Sequence, residues 1–471
     1  MYKYLLCWRY LKTRYIALAS VISVMLGVAT MIVVNSVMAG FAEKMRDRLH
    51  GVLADVVVES VSLDGFYNSD EVMARVRQVA GDQVVALAPT METPGILHFR
   101  YPGGQVITRP VNIIGVRPED RARTGDFGEF LVDDGNQRIA PSFEVTDQLK
   151  MSSPRGEILQ DLGDDPLDKQ MREAIQQQIR EETPDEGTIL GYALATWHRG
   201  KNLPDQYMAP PGTKVGLLFP KAGQGRSEGG YDTFTVVGYF KSGMSEYDST
   251  HVYVPLERLQ FVRNLRDARG RGAVNQIQIK AKPNVPLGPL AEKLQLALDR
   301  LHPAFFRVFT WEQKQGALLG AVAIEQSILN ILLFFIIAVA GFGILAIFSM
   351  IVVEKTRDIG VMKALGASTA GIRGIFLGYG LLLGAVGSGV GMVGGLLFVR
   401  YINEIESVLS KVMHHKVFDD TIYYFDKIPT LIQPFTVCWI VAGALVIAVT
   451  ASIWPAHRAA HLHPVRSLRY E

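Results

Sequence analysis

The chain has 471 residues, of which 48% are hydrophobic, and a mean hydropathy of +0.16. Its formal net charge of +2 excludes the strongly basic composition of a typical nucleic-acid-binding protein. The only cysteines are Cys7 and Cys438, so the long region between them cannot depend on disulfides for its fold.

Four stretches of the chain are almost free of charge and long enough to cross a membrane. A spanning helix needs roughly 20 apolar residues for a hydrocarbon core of about 30 Å. The predicted helices are residues 15–42, 316–353 with a periplasmic extension at its start, 373–400 and 434–456. Residues 43–315 have the composition of a soluble domain. The predicted fold class is therefore membrane α plus an extracytoplasmic α/β domain, which lies between the first and second helices.

The N-terminus has a basic segment before an apolar run, as a signal peptide does. However, the uncharged run from Tyr15 to Ala42 exceeds the roughly 7–15 residues of a signal-peptide core, so we expect an uncleaved anchor. Residues 1–14 mix aromatic and basic side chains. They fit either a short interfacial helix on the inner leaflet or an irregular basic tail.

Basic residues cluster before the first helix, between the second and third helices, and in the tail 457–471. Because positive charge near the ends of spans faces the cytoplasm, these three segments should be cytoplasmic. Both termini are then cytoplasmic. The inserted domain and the loop 401–433 lie on the other side of the membrane.

The inserted domain contains matching α/β pieces near its two ends. A β-branched run at 56–58 precedes a helix for which Ser69 is the predicted N-cap, and a strand, a helix and another strand follow between 277 and 309. We predict one α/β subdomain from residues 43–115 and 270–315, and a β-rich subdomain from 116–269.

Three strands are predicted within the β-rich subdomain, at Val215–Phe219, Thr233–Phe240 and His251–Val254. A glycine-rich loop, residues 220–230, joins the first two. The acidic, glutamine-rich segment 160–186 is interpreted as a solvated helix with linkers rather than a binding site.

No motif for catalysis or metal binding is present. The sequence contains no H-E-x-x-H, no G-x-S-x-G, no Cys/His cluster and no G-x-x-x-x-G-K-[ST] phosphate loop. We therefore expect no enzyme activity, no metal and no cofactor in this chain. If ATP drives its action, another chain must hydrolyse it.

The cytoplasmic segment 354–372 has a helical pattern, with apolar residues at Ile359, Met362, Ala364 and Leu365 among charged ones. It reaches Gly366, a residue suited to a helix C-terminus. The pattern predicts a short amphipathic helix that contacts a cytoplasmic partner, whereas a generic positive-inside loop would need only the charges.

The third predicted membrane helix is rich in glycine at close spacing. Small residues let helix backbones approach each other in lipid, so close helix packing is favoured over mere flexibility. The glycines concerned are Gly380, Gly384, Gly387, Gly391 and Gly395.

The segment E-K-x-R-D-I-G-x-x-K-A-L-G-A, residues 354–367, resembles the coupling segment of ABC transporter permeases of the MacB/FtsX superfamily, and the tail 455–471 resembles their usual ending. Three further segments resemble the lipoprotein-releasing, LolC/LolE-type permeases of that superfamily. They are residues 36–49, residues 311–313 with Glu325, and residues 423–429. The segment 118–186 is longer than the family pattern, and the stretch before the first helix is shorter.

The resemblance implies an inner-membrane complex of two permease chains and two cytoplasmic ABC ATPases, which bind ATP and Mg. Such a complex would extract lipoproteins from the outer leaflet and pass them to a periplasmic carrier. Whether the two permease chains are identical stays open.

The resemblance also implies functional residues. The ATPase-coupling residues would be Glu354, Lys355, Arg357, Asp358, Ile359, Gly360, Lys363, Ala364, Leu365 and Gly366. Acyl chains would enter near Val34, Met38, Phe41, Ile324 and Ile328, although packing alone explains these five equally well. A carrier would contact Lys221, Gly223, Gly225 and Arg226, in a loop without a clear match to the family's gripping residues.

Three alternatives remain from sequence alone. The chain could export another periplasmic substrate, as MacB-like permeases do, or transmit ATP-driven motion to a cell-wall hydrolase, as FtsX-like proteins do. It could also be a sensor or scaffold without an ATPase partner.

Overall fold

A computed structural model describes residues 15–100, 106–146, 186–197, 205–222, 229–413 and 427–462. The predicted interfacial segment 1–14, the acidic segment up to residue 185 and the end of the tail from residue 463 lie outside these described residues. The chain divides into two compact units. The membrane unit comprises Met1–Met45, Leu318–Phe418 and Asp426–Glu471, and the insert unit consists mainly of Arg46–Ala317.

The first helix, α1 (Tyr15–Val52), is followed by the elements of the insert unit. In chain order these are β1 (Val56–Ser60), α2 (Ser69–Ala80), β2 (Val84–Arg100), β3 (Val106–Val116), α3 (Pro118–Thr124), β4 (Leu131–Val132), β5 (Gly187–Gly191), α4 (Tyr192–Ala195), β6 (Thr196–Trp197), β7 (Gln206–Tyr207), β8 (Lys214–Pro220), β9 (Gly229–Phe240), α5 (Ser245–Asp248), β10 (His251–Pro255), α6 (Leu256–Val262), β11 (Gln276–Ala281), α7 (Leu287–Asp299), β12 (Phe306–Thr310) and α8 (Trp311–Lys314). Two short 3-10 helices, Gly81–Gln83 and Phe127–Phe130, lie between them.

The remaining helices are α9 (Gly316–Glu354), α10 (Thr356–Ala364), α11 (Thr369–Arg400), α12 (Ile402–Met413) and α13 (Pro434–Ala460). Among the described residues, four helices are long and apolar enough to cross a membrane: Leu18–Val52 of α1, and α9, α11 and α13. The predicted fold class is confirmed. One difference is that the segment expected as a loop, 401–433, contains the helix α12.

One ten-stranded sheet forms the centre of the insert unit, with the strand order β12-β1-β11-β2-β3-β10-β5-β9-β4 and with β8 paired to β2 and β9. β1 pairs antiparallel with both β11 and β12, so Val56 lies opposite Ile279 and Thr310. Strands from the two ends of the insert are therefore neighbours. The long strands β2 and β3 continue into the β-rich part, so strands of both predicted subdomains share one sheet.

The helix α2 packs on this sheet through Val72, Val76 and Ala80, which are buried on one face. The sequence predicts Ser69 as the N-cap of this helix, and this prediction is wrong. Asn68 occupies that position without a side-chain cap bond, and Ser69 is already helical. The acidic residues Asp70 and Glu71 in the first turn stabilise the helix N-terminus through its dipole instead.

The outer edge of β12 is closed by a side chain from α7. The Gln295 amide donates to the Phe306 carbonyl at 2.9 Å and accepts from the Val308 N–H at 2.8 Å. An unpaired strand edge is a template for adding a further strand. Gln295 satisfies two of its backbone groups, which disfavours strand addition there.

The last turn of α1 is fixed within the insert unit near Asp55. The Asp55 carboxylate accepts from the Ala281 N–H at 2.8 Å, lies 3.2 Å from the Lys280 ammonium, and lies 2.6 Å from Nε2 of His50. Burial by itself would raise the pKa of Asp55, but these bonds hold it below its usual range. His50 in turn stacks on Trp311 at 5.1 Å between ring centroids.

Two of the three Lol-like segments meet at this point. Arg46 lies 3.8 Å from Glu312, and its guanidinium carbon is 6.0 Å from the centre of the Trp311 ring. The end of α1 and the start of α8 are thus joined by charge and aromatic contacts.

Candidate functional site

The segment with the coupling pattern forms the short helix α10 between α9 and α11. Ile359 points inward and is buried in the apolar core of the membrane unit with Val352 and Ile372. The Lys363 ammonium donates to the Leu462 carbonyl at 2.7 Å, just after the end of α13. The helix is therefore tied both to the core and to the end of the last spanning helix.

A glycine ends α10, as the sequence predicted. Gly366 has a φ of +93°, its N–H donates to the Lys363 carbonyl at 3.0 Å, and the Ala367 N–H donates to the Met362 carbonyl at 2.9 Å. These two bonds define a Schellman motif, in which a left-handed residue closes the helix. Ser368 then caps α11 by accepting from the Gly371 N–H at 3.1 Å. Two consecutive caps fix the angle between α10 and α11.

The four apolar positions of the predicted amphipathic face do not share one face, which corrects that expectation. Ile359 is buried and Met362 is half-buried, but Ala364 and Leu365 are exposed, Leu365 by 83%. At about 100° per residue, positions 364 and 365 point away from position 359. The exposed surface instead combines apolar and charged residues: Arg357, Asp358, Val361, Ala364 and Leu365.

The other predicted coupling residues lie in the first half of this helix or just before it. Lys355 forms an ion pair with Asp358 at 2.7 Å, and Glu354 is the exposed last residue of α9. Gly360 is buried beside Ile359. All ten predicted coupling residues thus lie in the continuous stretch from the last residue of α9 to the glycine that ends α10.

The glycines of α11 place this helix against both α1 and α13, which confirms the predicted close packing. A Cβ added at Gly384 would lie 2.7 Å from Cβ of Ala448 on α13. At Gly391 it would lie 2.6 Å from the Met25 carbonyl oxygen on α1, and at Gly395 it would lie 3.1 Å from Cα of Ala29. One half of α11 therefore packs on α13 and the other half packs on α1.

A polar cavity of about 150 Å³ lies inside the membrane unit. Its polar lining consists of uncharged amides and hydroxyls: Asn35, Ser36, Gln326, Asn330, Gln433 and Thr436. Polar side chains in membrane spans are costly and usually functional. None of the sequence predictions includes this cluster, although Asn35 and Asn330 each interrupt an apolar run, which is a signal of it.

The segment 427–433, which we call the strap, runs over α1 beside this cavity. The Leu431 N–H donates to the Ser36 carbonyl at 2.8 Å. The Ile428 N–H donates to the Asn403 side chain at 2.8 Å. A Cβ at Gly40 would lie only 2.5 Å from Cα and N of Thr430. The absence of a side chain at Gly40 therefore leaves room for the backbone of the strap. The Lol-like segments around 36–41 and 428–429 are neighbours in space.

Replacing Gly40 with alanine is expected to displace the strap, because the new methyl group would overlap backbone atoms that cannot rotate away. Overpacking of this kind costs about 1–3 kcal/mol. The thermal unfolding midpoint of the full chain in lipid nanodiscs should fall. Gly27→Ala is the matched control in the same helix, since its Cβ meets only Ile337 at an ordinary 3.7 Å. Equal midpoints for the two variants would contradict this role of Gly40.

The residues predicted to receive acyl chains lie apart from the polar cavity. Val34, Met38 and Phe41 are half-buried on α1, and Ile324 and Ile328 are exposed on α9. Helical spacing puts positions 324 and 328 on the side of α9 opposite Gln326 and Asn330. In these turns of α9, the two isoleucines therefore face away from the polar cavity.

The predicted carrier-contact loop joins the paired strands β8 and β9, where Pro220 lies opposite Gly229. Lys221 is exposed at the start of the loop. Gly223, Gly225 and Arg226 lie outside the described residues, so the structure does not test their proposed contact.

The part of the chain that the structure describes contains no group of three or more His, Cys, Asp or Glu side chains suited to a metal.

Residues 330–464 match the family of FtsX-like permease C-terminal domains. The chain is also similar to curated full-length proteins. The lipoprotein-releasing system transmembrane protein LolC of Xylella fastidiosa (strain 9a5c) is 25% identical over 97% of this chain and 94% of that protein. The protein of the same name from Neisseria meningitidis is 24% identical with the same coverage.

The transmembrane protein LolE of Haemophilus influenzae is 29% identical over 38% of this chain and 43% of its own length. The solved periplasmic region of MacB from Actinobacillus actinomycetemcomitans covers 61% of this chain and 98% of that structure, with 13% identity and a TM-score of 0.27. The sequence resemblance is confirmed: this multi-pass membrane chain is similar over 97% of its length to LolC transmembrane proteins, and its residues 330–464 match FtsX-like permeases.

Proposed function

We propose that this chain is a permease subunit of an ATP-driven complex that extracts lipoproteins from the outer leaflet of the inner membrane for transfer to a periplasmic carrier. The similarity to LolC proteins over 97% of the chain is the observation that carries the proposal. The chain has no phosphate loop, so a cytoplasmic ABC ATPase dimer would bind ATP and Mg. A second permease chain would complete the complex.

The geometry of α10 supports its role in coupling to the ATPase. Its exposed surface presents Arg357, Val361 and Leu365, which can enter a groove on a partner. Its inner side is fixed by Ile359 and by the Lys363 bond to the end of α13. A push on α10 is therefore transmitted to α9, α11 and α13 together.

Motion of α11 also reaches α1 through the glycine contacts. Because the backbones touch directly, little side-chain rearrangement can absorb the displacement. Rigid-body movement of the spans would shift the insert unit and squeeze out the acyl chains, with no continuous channel through the membrane. The termini and α10 would be cytoplasmic, and the insert unit periplasmic.

Depletion of the chain tests this function. Lipoproteins should accumulate in the inner-membrane fraction and decrease in the outer-membrane fraction, measured by density-gradient separation and immunoblotting. A plasmid copy of the wild type should restore the distribution. An unchanged distribution on depletion would reject lipoprotein release and favour export of another substrate or control of a cell-wall hydrolase.

Replacing Gly366 with valine is expected to uncouple ATP hydrolysis from release. A left-handed φ costs a residue with a Cβ about 1–2 kcal/mol, which opens the Schellman turn, while no other atom lies near enough to clash. Release per ATP hydrolysed should fall in a reconstituted system. Gly374→Val is the matched control, because a Cβ there also meets open space but its φ is not positive.

Charge reversal at Arg357 or at Lys363 should likewise reduce release without reducing the amount of folded protein. Arg357 acts from the exposed side of α10, and Lys363 acts through its bond to Leu462. Wild-type release by all three variants would reject the coupling role of this element.

A further inference from the structure

The helix α12 has a complete separation of apolar and polar residues around its axis. At about 100° per residue, its polar positions occupy one continuous arc. They are Asn403, Glu404, Glu406, Ser407, Ser410 and Lys411. Its apolar positions occupy the remaining arc, and most of them are exposed: Ile405, Val408, Leu409, Val412 and Met413, with Tyr401 just before the helix. Val412 is 70% exposed.

The position of α12 in the chain places it at the surface of the bilayer. The spanning helix α11 ends at Arg400, one residue before α12 begins, and the Ile405 N–H donates to the Tyr401 carbonyl at 2.9 Å. So little chain separates the two helices that the start of α12 must lie at the membrane boundary.

A second connection holds the start of α12 at the membrane boundary. The Asn403 side chain accepts from the Ile428 N–H and donates to the Ile428 carbonyl. Ile428 belongs to the strap, which leads into the next spanning helix at Pro434. The first turns of that helix expose Phe435 and Trp439, by 82% and 73%. Exposed aromatic residues at the end of a span mark the interface between lipid and water.

We propose that α12 is an interfacial helix whose apolar side, which includes Val408 and Val412, is buried among the lipid acyl chains. In the orientation proposed above, this is the outer leaflet of the inner membrane. The polar side faces the headgroups, where Ser410 donates to Glu406 at 2.6 Å. The lipid bilayer is thus a direct ligand of a segment outside the four spanning helices.

The charges on α12 determine which kind of lipid surface it fits. Its polar side carries Glu404, Glu406 and Lys411, so it lacks the excess of lysine and arginine that attracts anionic lipids. Insertion must depend on the buried apolar area. Binding should therefore be equal in zwitterionic and anionic bilayers and insensitive to salt.

A second copy of the chain is a poorer occupant for this surface. One helical face of twelve residues is roughly 18 Å long and 10 Å wide. That is far smaller than the roughly 800 Å² per partner of a standard protein interface. Lipid acyl chains already surround the end of α11, so they can cover the apolar side of α12 without any additional protein contact.

The test compares two cysteine variants of the full chain in phosphatidylcholine nanodiscs, with Cys7 and Cys438 replaced by serine. Val412→Cys places a nitrobenzoxadiazole label on the apolar side, and Ser407→Cys is the matched control on the exposed polar side. Quenching by phosphatidylcholine with a nitroxide on its acyl chain reports contact with lipid, and quenching by iodide reports contact with water.

The label at position 412 should be quenched several-fold more strongly by the nitroxide lipid than the label at 407, and the order should reverse with iodide. Equal iodide quenching at the two positions would show that the apolar side is solvated and would overturn the proposal. Protection at 412 from both quenchers would show that protein covers it, which would also overturn the proposal. Because the measurement needs neither ATP nor substrate, its outcome is independent of the proposed release function.

Discussion

Replacing Gly391 with valine is expected to separate α11 from α1 and to abolish release. A Cβ at this position would lie 2.6 Å from the Met25 carbonyl oxygen and 3.1 Å from its Cα. Both atoms belong to a helix backbone, so the overlap can be relieved only by moving one helix. Overpacking costs about 1–3 kcal/mol even where side chains can adjust, and here they cannot.

The consequence should be visible in stability and in function. The thermal unfolding midpoint in nanodiscs should fall, and the variant should fail to restore the lipoprotein distribution after depletion of the wild type. Gly389→Val is the matched control, because its Cβ would meet no atom within 4 Å. If both variants have the unfolding midpoint and the lipoprotein release of the wild type, α11 does not transmit motion through this contact.

Replacing Arg258 with methionine is expected to destabilise the insert unit by about 3–5 kcal/mol, because it leaves a buried carboxylate without its counterion. Arg258 on α6 donates to both oxygens of Asp232 on β9, at 2.6 and 3.0 Å. The Asp232 side chain is completely buried. Unfolding of the full chain, followed by tryptophan fluorescence, would measure the loss.

A double variant separates the ion pair from the packing. Asp232→Asn combined with Arg258→Met removes both charges, and it should recover most of the lost stability, since a neutral pair has no unpaired buried ion. If the double variant is as unstable as Arg258→Met alone, the loss reflects the packing of Arg258, including its contact with the Phe261 ring, rather than the charge.

The Arg258→Met variant should also depend on pH in a definite direction. Burial raises the pKa of Asp232, and the pairing with Arg258 opposes that rise. Without Arg258 the pKa rises further, so the folded state retains a proton that the unfolded chain releases. Stability therefore increases as the pH falls through the raised pKa, and the deficit should shrink at mildly acidic pH. A constant deficit would contradict this explanation.

Features that depend on local composition and spacing were predictable from the sequence. The four spans follow from apolar runs that match the thickness of a bilayer, and the end of α10 follows from a glycine at a helix terminus. The close packing of α11 follows from the spacing of its glycines. The separation of apolar and polar residues around α12 likewise depends only on spacing within that helix. The position of residues 401–433 between two spans predicts a loop there, and the helical pattern of 402–413 overrides that prediction.

The sequence by itself therefore determined the membrane class of the chain, the number of its spans, the end of the short helix α10 and its likeness to a permease family. Only the tertiary structure decided that Gly40 accommodates the strap, that Asp232 pairs with Arg258, and that the amides of α1, α9 and the strap meet in one cavity. The physical reason is distance along the chain. Helical periodicity and hydropathy act over a few turns, whereas these contacts join residues that only the packing of whole elements brings together.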